Sequence, residues 1–258
     1  MSNLFLDPVI INGTVYMASD FHFGSPNEEQ SKLREEKVIA WMETISRDAT
    51  AIFLLGDIFD FWFEYKDVVP CGYFNFFAQL DKLRKKGIEI YYFTGNHDMW
   101  VKDYFTKELG VKIFRKQQPF LINGKKCLVG HGDGLGPKDF GYKFIKRVFA
   151  FRPNITLYGA LHPRIAFALA RFFSRKSRSM TSAAEQQYMG DEREMLTQYA
   201  ISILQNEQID YFMYGHRHLP INKQLSENSR YINTGDWLTH DSFVKMEEGV
   251  AELIQWME

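Results

Sequence analysis

Three features of the 258-residue chain predict a layered α/β sandwich. Apolar, β-prone runs alternate with helical periodicities in the first half, hairpin-like runs dominate the last quarter, and five polar clusters each follow an apolar run. Apolar residues make up 45% and charged residues 24%, which excludes wholesale disorder and leaves ample chain for a buried core.

The elements follow in order. Residues 14–18 are apolar and β-prone and end in SDFH at 19–22. Leu33, Val38, Ile39, Trp41, Met42 and Ile45 then recur at helical spacing, with Glu28 and Glu29 suited to the first turn. The continuous apolar run 51–55, before Gly56 and Asp57, reads as a buried strand. Phe76, Phe77, Leu80 and Leu83 mark the next helix, with Lys82, Arg84, Lys85 and Lys86 in its last turns and Gly87 as its stop. Residues 88–94 form a β-rich run into GNHD at 95–98; a short helix reaches Gly110, and 111–114 is a further strand. Residues 120–122 and 125–129 flank Asn123-Gly124, a hairpin signal, and the second strand delivers GHGD at 130–133.

A helical segment follows, broken near Arg152-Pro153 and His162-Pro163, and 181–207 reads as one more helix with a break at Gly190. Residues 211–214 are a strand into GHRH at 215–218; 222–225, 230–233, 242–246 and 250–256 complete the β content. The expected organisation is a single domain over 1–258 with a helical insertion over 138–207.

The net charge of −1 hides a segregation. Residues 138–178 carry ten Lys/Arg against Asp139 alone, a local +9 that leaves −10 elsewhere. Such a segment suits an anionic partner: phosphate, nucleic acid or lipid headgroup. Aromatic rings are interleaved with it. Ile165, Leu169 and Phe172 sit at helical spacing and are expected in the core, whereas RFFSRKSR at 171–178 pairs two rings with four cations, a lip suited to an anionic partner with apolar parts. Cys71 and Cys127 are too few for a disulfide framework or thiolate metal site, and a reducing compartment fits. No apolar run of 18 occurs and the first twenty residues lack a signal pattern, so a cytoplasmic location is expected.

The five clusters are Asp20 with His22, Asp57, Asn96 to Asp98, His131, and His216 with His218. On an extended segment, side chains at i and i+2 point the same way, so Asp20/His22 and His216/His218 are each expected to aim two ligands at one spot. Three Asp/Asn oxygens and four imidazoles, without sulfur, suit two borderline divalent ions: Mn²⁺, Fe²⁺ or Zn²⁺. For Asp60 and Trp62, strand-end packing and a substrate role weigh equally; His162 and His240 read as surface or structural.

The ordered set SDFH, GDIFDFW at 56–62, GNHD, GHGD and GHRH resembles that of the calcineurin-like metallophosphoesterases. The resemblance implies a four-layer α/β/β/α sandwich and a dinuclear site. Asp20, His22, Asp57 and His218 would hold one metal, and Asp57, Asn96, His131 and His216 the other. Over nearly the whole chain the sequence further resembles the UDP-2,3-diacylglucosamine pyrophosphohydrolases of lipid A biosynthesis. GDIFDFW, HGDGLGPKDFGYKFIKR at 131–147, the basic helical segment, YINTGDW at 231–237 and SFVKMEEGVAELIQW at 242–256 carry that likeness.

This second resemblance implies two Mn²⁺ ions and a helical lid. It implies cleavage of the substrate pyrophosphate to UMP and 2,3-diacylglucosamine 1-phosphate. Substrate contacts would come from Asn96, His97, Asp139, Ser174, Arg175, Arg178 and His216. The best-known members carry Arg after the metal-binding Asn; here His97 stands in the GNHD form of general phosphoesterases, where the His is proposed to protonate the leaving group, with Asp98 orienting its ring. The expected partners are the lipid-linked nucleotide sugar and, transiently, an anionic membrane surface on the inner face of the cytoplasmic membrane; no nucleic acid is expected, and the chain is expected to be a monomer. The alternative is a metallophosphoesterase acting on another phosphodiester, phosphomonoester or nucleotide. A non-enzymatic scaffold would require lost ligands, and all seven positions are filled.

Overall fold

The computed structural model describes residues 4–137, 140–181, 187, 188 and 190–257, the side chains of 175–181 excepted. Two six-stranded sheets face each other. In the first, β2 (Thr14–Ala18), β3 (Ala49–Leu54), β4 (Glu89–Phe93) and β5 (Lys112–Phe114) run parallel, and β11 (Ser242–Glu247) and β12 (Val250–Gln255) add an antiparallel edge beside β2. The second has the order β1 (Val9–Ile11), β6 (Gln118–Ile122), β7 (Lys125–Val129), β8 (Tyr211–Tyr214), β10 (Ser229–Thr234), β9 (Pro220–Ser226).

Strand alternation builds the layers. Val15 and Met17 of β2 and Ala51 and Phe53 of β3 point between the sheets, onto Val129, Met213 and Ile232. Their neighbours Tyr16, Ala18, Ile52 and Leu54 point outward, onto Val38, Trp41 and Met42 of α1 (Glu28–Ile45), Phe76 and Leu80 of α2 (Phe74–Lys85), and Phe105 of α3 (Tyr104–Leu109). On the far side, Leu128, Phe212, Tyr214 and Tyr231 pack against Leu196 and Ala200 of α7 (Met195–Leu204). The order of layers is α/β/β/α. The Asn123-Gly124 hairpin joins β6 and β7, with φ of 48° and 78° at the two turn residues.

Between β7 and β8 stand α4 (Phe140–Ala150), α5 (Arg152–Gly159) and α6 (Pro163–Thr181). Pro153 sits in the first turn of α5 and Pro163 opens α6, so both expected breaks are helix starts.

The break expected at Gly190 is present: that residue adopts φ 87°, and the chain turns through 191–193 before Met195 opens α7. One expectation is corrected. Ile165, Leu169 and Phe172 are not core: they are 54%, 41% and 62% exposed. Helical spacing predicted one apolar face correctly, but among the described residues no opposing layer covers it, and of the described side chains of α6 only Ala166 and Ser174 are buried. No helix among the described residues is long and apolar enough to cross a membrane.

Candidate metal centre

The five clusters emerge at the C-terminal ends of β2, β3, β4, β7 and β8. Parallel neighbours place such loops side by side, the usual location of a site in an α/β sheet. The expected strand alternation is not what aims the paired ligands. Asp20, His22, His216 and His218 lie beyond the strand ends in left-handed backbone, with φ of 57°, 46°, 68° and 55°, and Asp57 has φ 52°. A non-glycine residue pays about 1–2 kcal/mol for that conformation, so five together persist only where the surroundings over-determine them.

Those surroundings are visible. The Asp20 amide donates to the Gly56 carbonyl at 3.0 Å and the His22 amide to that of Asp57 at 2.9 Å, while Trp237 N–H donates to the Asp20 carbonyl at 3.2 Å. Arg34 of α1, buried, donates Nε to the Phe21 carbonyl at 2.6 Å and Nη2 to the His22 carbonyl at 2.8 Å and to that of Ser25. Close approach also demands glycine: a Cβ on Gly95 would lie 2.2 Å from Asp57 Oδ1, and one on Gly56 2.6 Å from His131 Nδ1.

Side-chain donors meet in two groups that share Asp57. Asp20, His22, Asp57 and His218 offer atoms all within 4.8 Å of one another, and so do Asp57, His131 and His216. His22 Nε2 and His218 Nε2 are 3.2 Å apart, and both approach Asp20 Oδ1, at 3.6 and 3.3 Å. His131 Nε2 lies 3.4 Å from Asp57 Oδ2 and 3.3 Å from Asn96 Oδ1, so the second group gains an amide oxygen. His131 Nδ1–H donates to the Leu55 carbonyl at 2.7 Å, which turns Nε2 toward Asp57.

Charge in this pocket is tightly linked. Burial alone would raise Asp20, but the charge of His218 and the adjoining His22 ring pull it down to about 2. Burial works against His131 too, and the Asp57 carboxylate overcomes it, lifting the imidazole to about 10. Burial, with the neighbouring His131, lowers His216 to about 4. Against burial, the surrounding imidazoles hold Asp57 well below the carboxylate range.

His97 and Asp98 behave differently from expectation. The His97 amide donates to Asp57 Oδ1 at 2.8 Å, and its ring Nδ1–H donates to the Asp60 carbonyl at 2.9 Å. Burial lowers its pKa to about 4, so the ring is neutral near pH 7 with its lone pair at Nε2. Asp98 does not orient that ring. Its carboxylate is fully buried and taken by Gly95 N–H at 2.7 Å, Ile58 N–H at 2.8 Å and the Tyr92 hydroxyl at 2.5 Å, so it ties the loops beneath the site together.

Sequence reasoning passed over two further carboxylates or left them open. Asp60 sits with His22 and His97 in a third group of converging atoms, and its Oδ2 accepts from the Ser174 hydroxyl of α6 at 3.0 Å. Asp236 accepts from His218 Nδ1–H at 3.3 Å and from His240 Nδ1–H at 3.1 Å, besides the amides of Thr239 and His240. His240 is thus structural, and what it supports is the orientation of His218. Asp139 and the side chains of Arg175 and Arg178 lie outside the described residues.

The donor set fits divalent cations. It is all nitrogen and oxygen, and Asp20 Oδ1 is buried without a hydrogen-bond partner, the state of an acceptor awaiting a cation. Such a cluster, at the C-terminal edges of two packed sheets, defines a metal-dependent phosphoester hydrolase. The chain belongs to the calcineurin-like phosphoesterase family, which it matches over residues 13–220. It is 33% identical, over 95% of its own length and 97% of the relative's, to UDP-2,3-diacylglucosamine hydrolase of Porphyromonas gingivalis. The Enterobacter sp. protein of the same name is 26% identical over 82% of this chain and 87% of its own. The solved structure of Yfce, a phosphoesterase from E. coli, aligns over 94% of this chain and 92% of its own at 15% identity, with a TM-score of 0.45.

Proposed function

We propose that this chain hydrolyses the pyrophosphate of UDP-2,3-diacylglucosamine, giving UMP and 2,3-diacylglucosamine 1-phosphate. One observation carries the reading: the ligand cluster adjoins an apolar cavity covered by α6. That cavity, about 390 Å³, is walled by Phe23, Phe61, Val69, Tyr73 and Phe167 and reaches the cluster at Asp60. A phosphoesterase for small soluble substrates has no use for an apolar chamber beside its reacting centre, whereas an acylated sugar phosphate does. The names of the relatives point the same way.

In this reading Asp20, His22, Asp57 and His218 hold one divalent cation, and Asp57, Asn96, His131 and His216 the other. Mn²⁺ suits their mixed carboxylate, amide and imidazole set. Bound there, the pair supplies Lewis acidity, easing deprotonation of water and neutralising charge on phosphoryl oxygens. The chain's own part is positioning. Asp57 joins the two halves of the cluster, Asp236 and Leu55 fix the tautomers of His218 and His131, and the His97 amide braces Asp57. Once the negative substrate has raised its pKa from about 4, the His97 ring carries a proton on Nε2 and can give it to the leaving oxygen.

Residues 138–207 act as the lid of a single-domain monomer. Phe140, Phe144, Phe149, Phe172 and Phe173 are exposed among the basic residues of the same segment, a surface suited to brief contact with anionic lipid. The deciding experiment is Mn²⁺-dependent release of UMP from UDP-2,3-diacylglucosamine, run beside bis(p-nitrophenyl) phosphate hydrolysis. Release of UMP at a far higher kcat/KM than ester hydrolysis supports the reading; ester hydrolysis without UMP release overturns it. Flotation with vesicles containing anionic lipid, but not with neutral vesicles, is the expected membrane result.

A further inference from the structure

Two cavities reach the ligand cluster, and no residue is common to both. The apolar one touches it at Asp60. The second, about 200 Å³, opens beside His131 and is lined by Thr94, Arg115, Lys116, Gln117 and Lys146. It lies between the loops that follow β4 and β7, next to the Gly95–Asn96 corner.

The two differ in apolar lining rather than in charge: Arg164 and Arg171 line the first beside Phe23, Phe61, Tyr73 and Phe167, whereas Phe93 is the one phenyl ring in the second. In the second cavity the buried carboxylate of Asp133 accepts from Lys146 Nζ at 2.5 Å and from the Tyr142 hydroxyl at 2.6 Å, so one cation is compensated. Arg115 donates to the carbonyls of Val101, at 2.5 Å, and Lys102, at 3.1 Å, which are neutral acceptors. Among the described residues neither Arg115 nor Lys116 pairs with a carboxylate. Two uncompensated positive charges therefore edge a recess that ends on a candidate metal ligand. Fixed cations beside a concave surface attract and hold an anion.

Both recesses can hold a phosphate, but only the first has walls for acyl chains, so an acylated nucleotide sugar lies across the centre in one sense. We propose that the cavity beside His131 receives the nucleoside monophosphate half of the substrate, with Arg115 and Lys116 as the cations that hold it. The acylated sugar phosphate occupies the cavity under α6. This assignment rests on the function proposed above and adds the direction in which the substrate is bound.

The test uses the Mn²⁺-loaded protein and needs no lipid. UMP is titrated as an inhibitor of bis(p-nitrophenyl) phosphate hydrolysis by the wild type, by Lys116→Glu and, as a control in the other cavity, by Phe167→Ser. Lys116 is exposed, so its reversal leaves the fold intact. The expected result is a UMP inhibition constant raised about tenfold or more in Lys116→Glu and unchanged in Phe167→Ser, each measured against that variant's own uninhibited ester turnover. Equal inhibition of all three, or a loss only in Phe167→Ser, overturns the inference. Absence of UMP release from the lipid substrate, in the separate assay above, would instead remove the proposed substrate and leave a nucleotide site to be judged on the inhibition data.

Discussion

The ligand loops and α6 touch through the Ser174–Asp60 hydrogen bond, yet they are built in opposite ways. In the loops, Asp20, His22, Asp57 and His131 are buried, five backbones are held in left-handed conformation, and the carbonyls of Phe21 and His22 are clamped by Arg34. In α6, Phe172 and Phe173 are 62% and 61% exposed, and among the described residues no apolar layer faces them. Reacting groups must be fixed to fractions of an ångström before substrate arrives, whereas an apolar grip gains its energy only when the substrate covers it. In the proposed function, catalysis and substrate capture fall to regions whose physics differ.

Substitutions can break or sharpen that division. Asp57→Asn keeps the shape of the shared carboxylate and removes its charge, so both halves of the cluster lose a ligand. Turnover on lipid substrate and on bis(p-nitrophenyl) phosphate should fall together, by at least about 10³-fold. Retained near-UV circular dichroism would show the fold is intact, and a variant with a tenth of wild-type turnover would refute the shared role.

His97→Ala should lower kcat by roughly 10²-fold, the low end of the range for a lost general acid. The structure gives the reason: burial holds the ring of the free protein near a pKa of about 4, so even after the substrate raises that value only part of the bound enzyme carries the proton at neutrality. The sign follows: a proton donor is active below its pKa, so wild-type kcat should climb as pH falls from 8 toward 6, as long as the metals stay bound. That slope should vanish in His97→Ala. A slope equal in both proteins would leave His97 a packing role only.

Asp236→Asn leaves every proposed ligand in place but weakens the acceptor that orients His218. Manganese affinity, read by calorimetry on the metal-free protein, should drop about 10–100-fold at one site and little at the other. Equal affinities in variant and wild type would make the His218–Asp236–His240 chain purely structural. On the other side of the division, Phe172→Ser with Phe173→Ser should raise KM for the lipid substrate about tenfold or more, from apolar contacts no longer formed, and leave ester hydrolysis alone.

How much of this was legible in the sequence follows the same line. Each ligand cluster sits after an apolar run, and those runs are strands, because burial on both faces of a parallel strand leaves a continuous apolar signature. The left-handed turns that aim Asp20 and His22 were not legible, since they depend on pairing with Gly56 and Asp57, more than thirty positions away. Arg34 reads as one more exposed charge of an acidic-basic helix, although its side chain is buried beneath the loop it holds. Asp236 lies in NTGDW, where nothing local announces a partner at His218. Helical periodicity identifies the apolar face of α6 but carries no information on what that face meets, which is why it places Ile165, Leu169 and Phe172 in a core that does not reach them.

Ser174→Ala probes the junction itself and should have the smallest effect. Its hydroxyl donates to Asp60 Oδ2, and Asp60 also holds the His97 ring through its carbonyl. Removing the hydroxyl leaves a carboxylate oxygen with one donor fewer at a buried position, a loss of about 1–2 kcal/mol. If the two regions are mechanically separate, that loss appears as looser docking of α6: a KM for lipid substrate raised about fivefold, and ester turnover within about twofold of wild type. The carbonyl bond to His97 is a backbone contact and survives. Should ester turnover instead fall tenfold, with the pH slope of kcat displaced as well, the hydroxyl would be setting the position of His97 through Asp60, and capture of the substrate by α6 would be wired directly to the reacting groups.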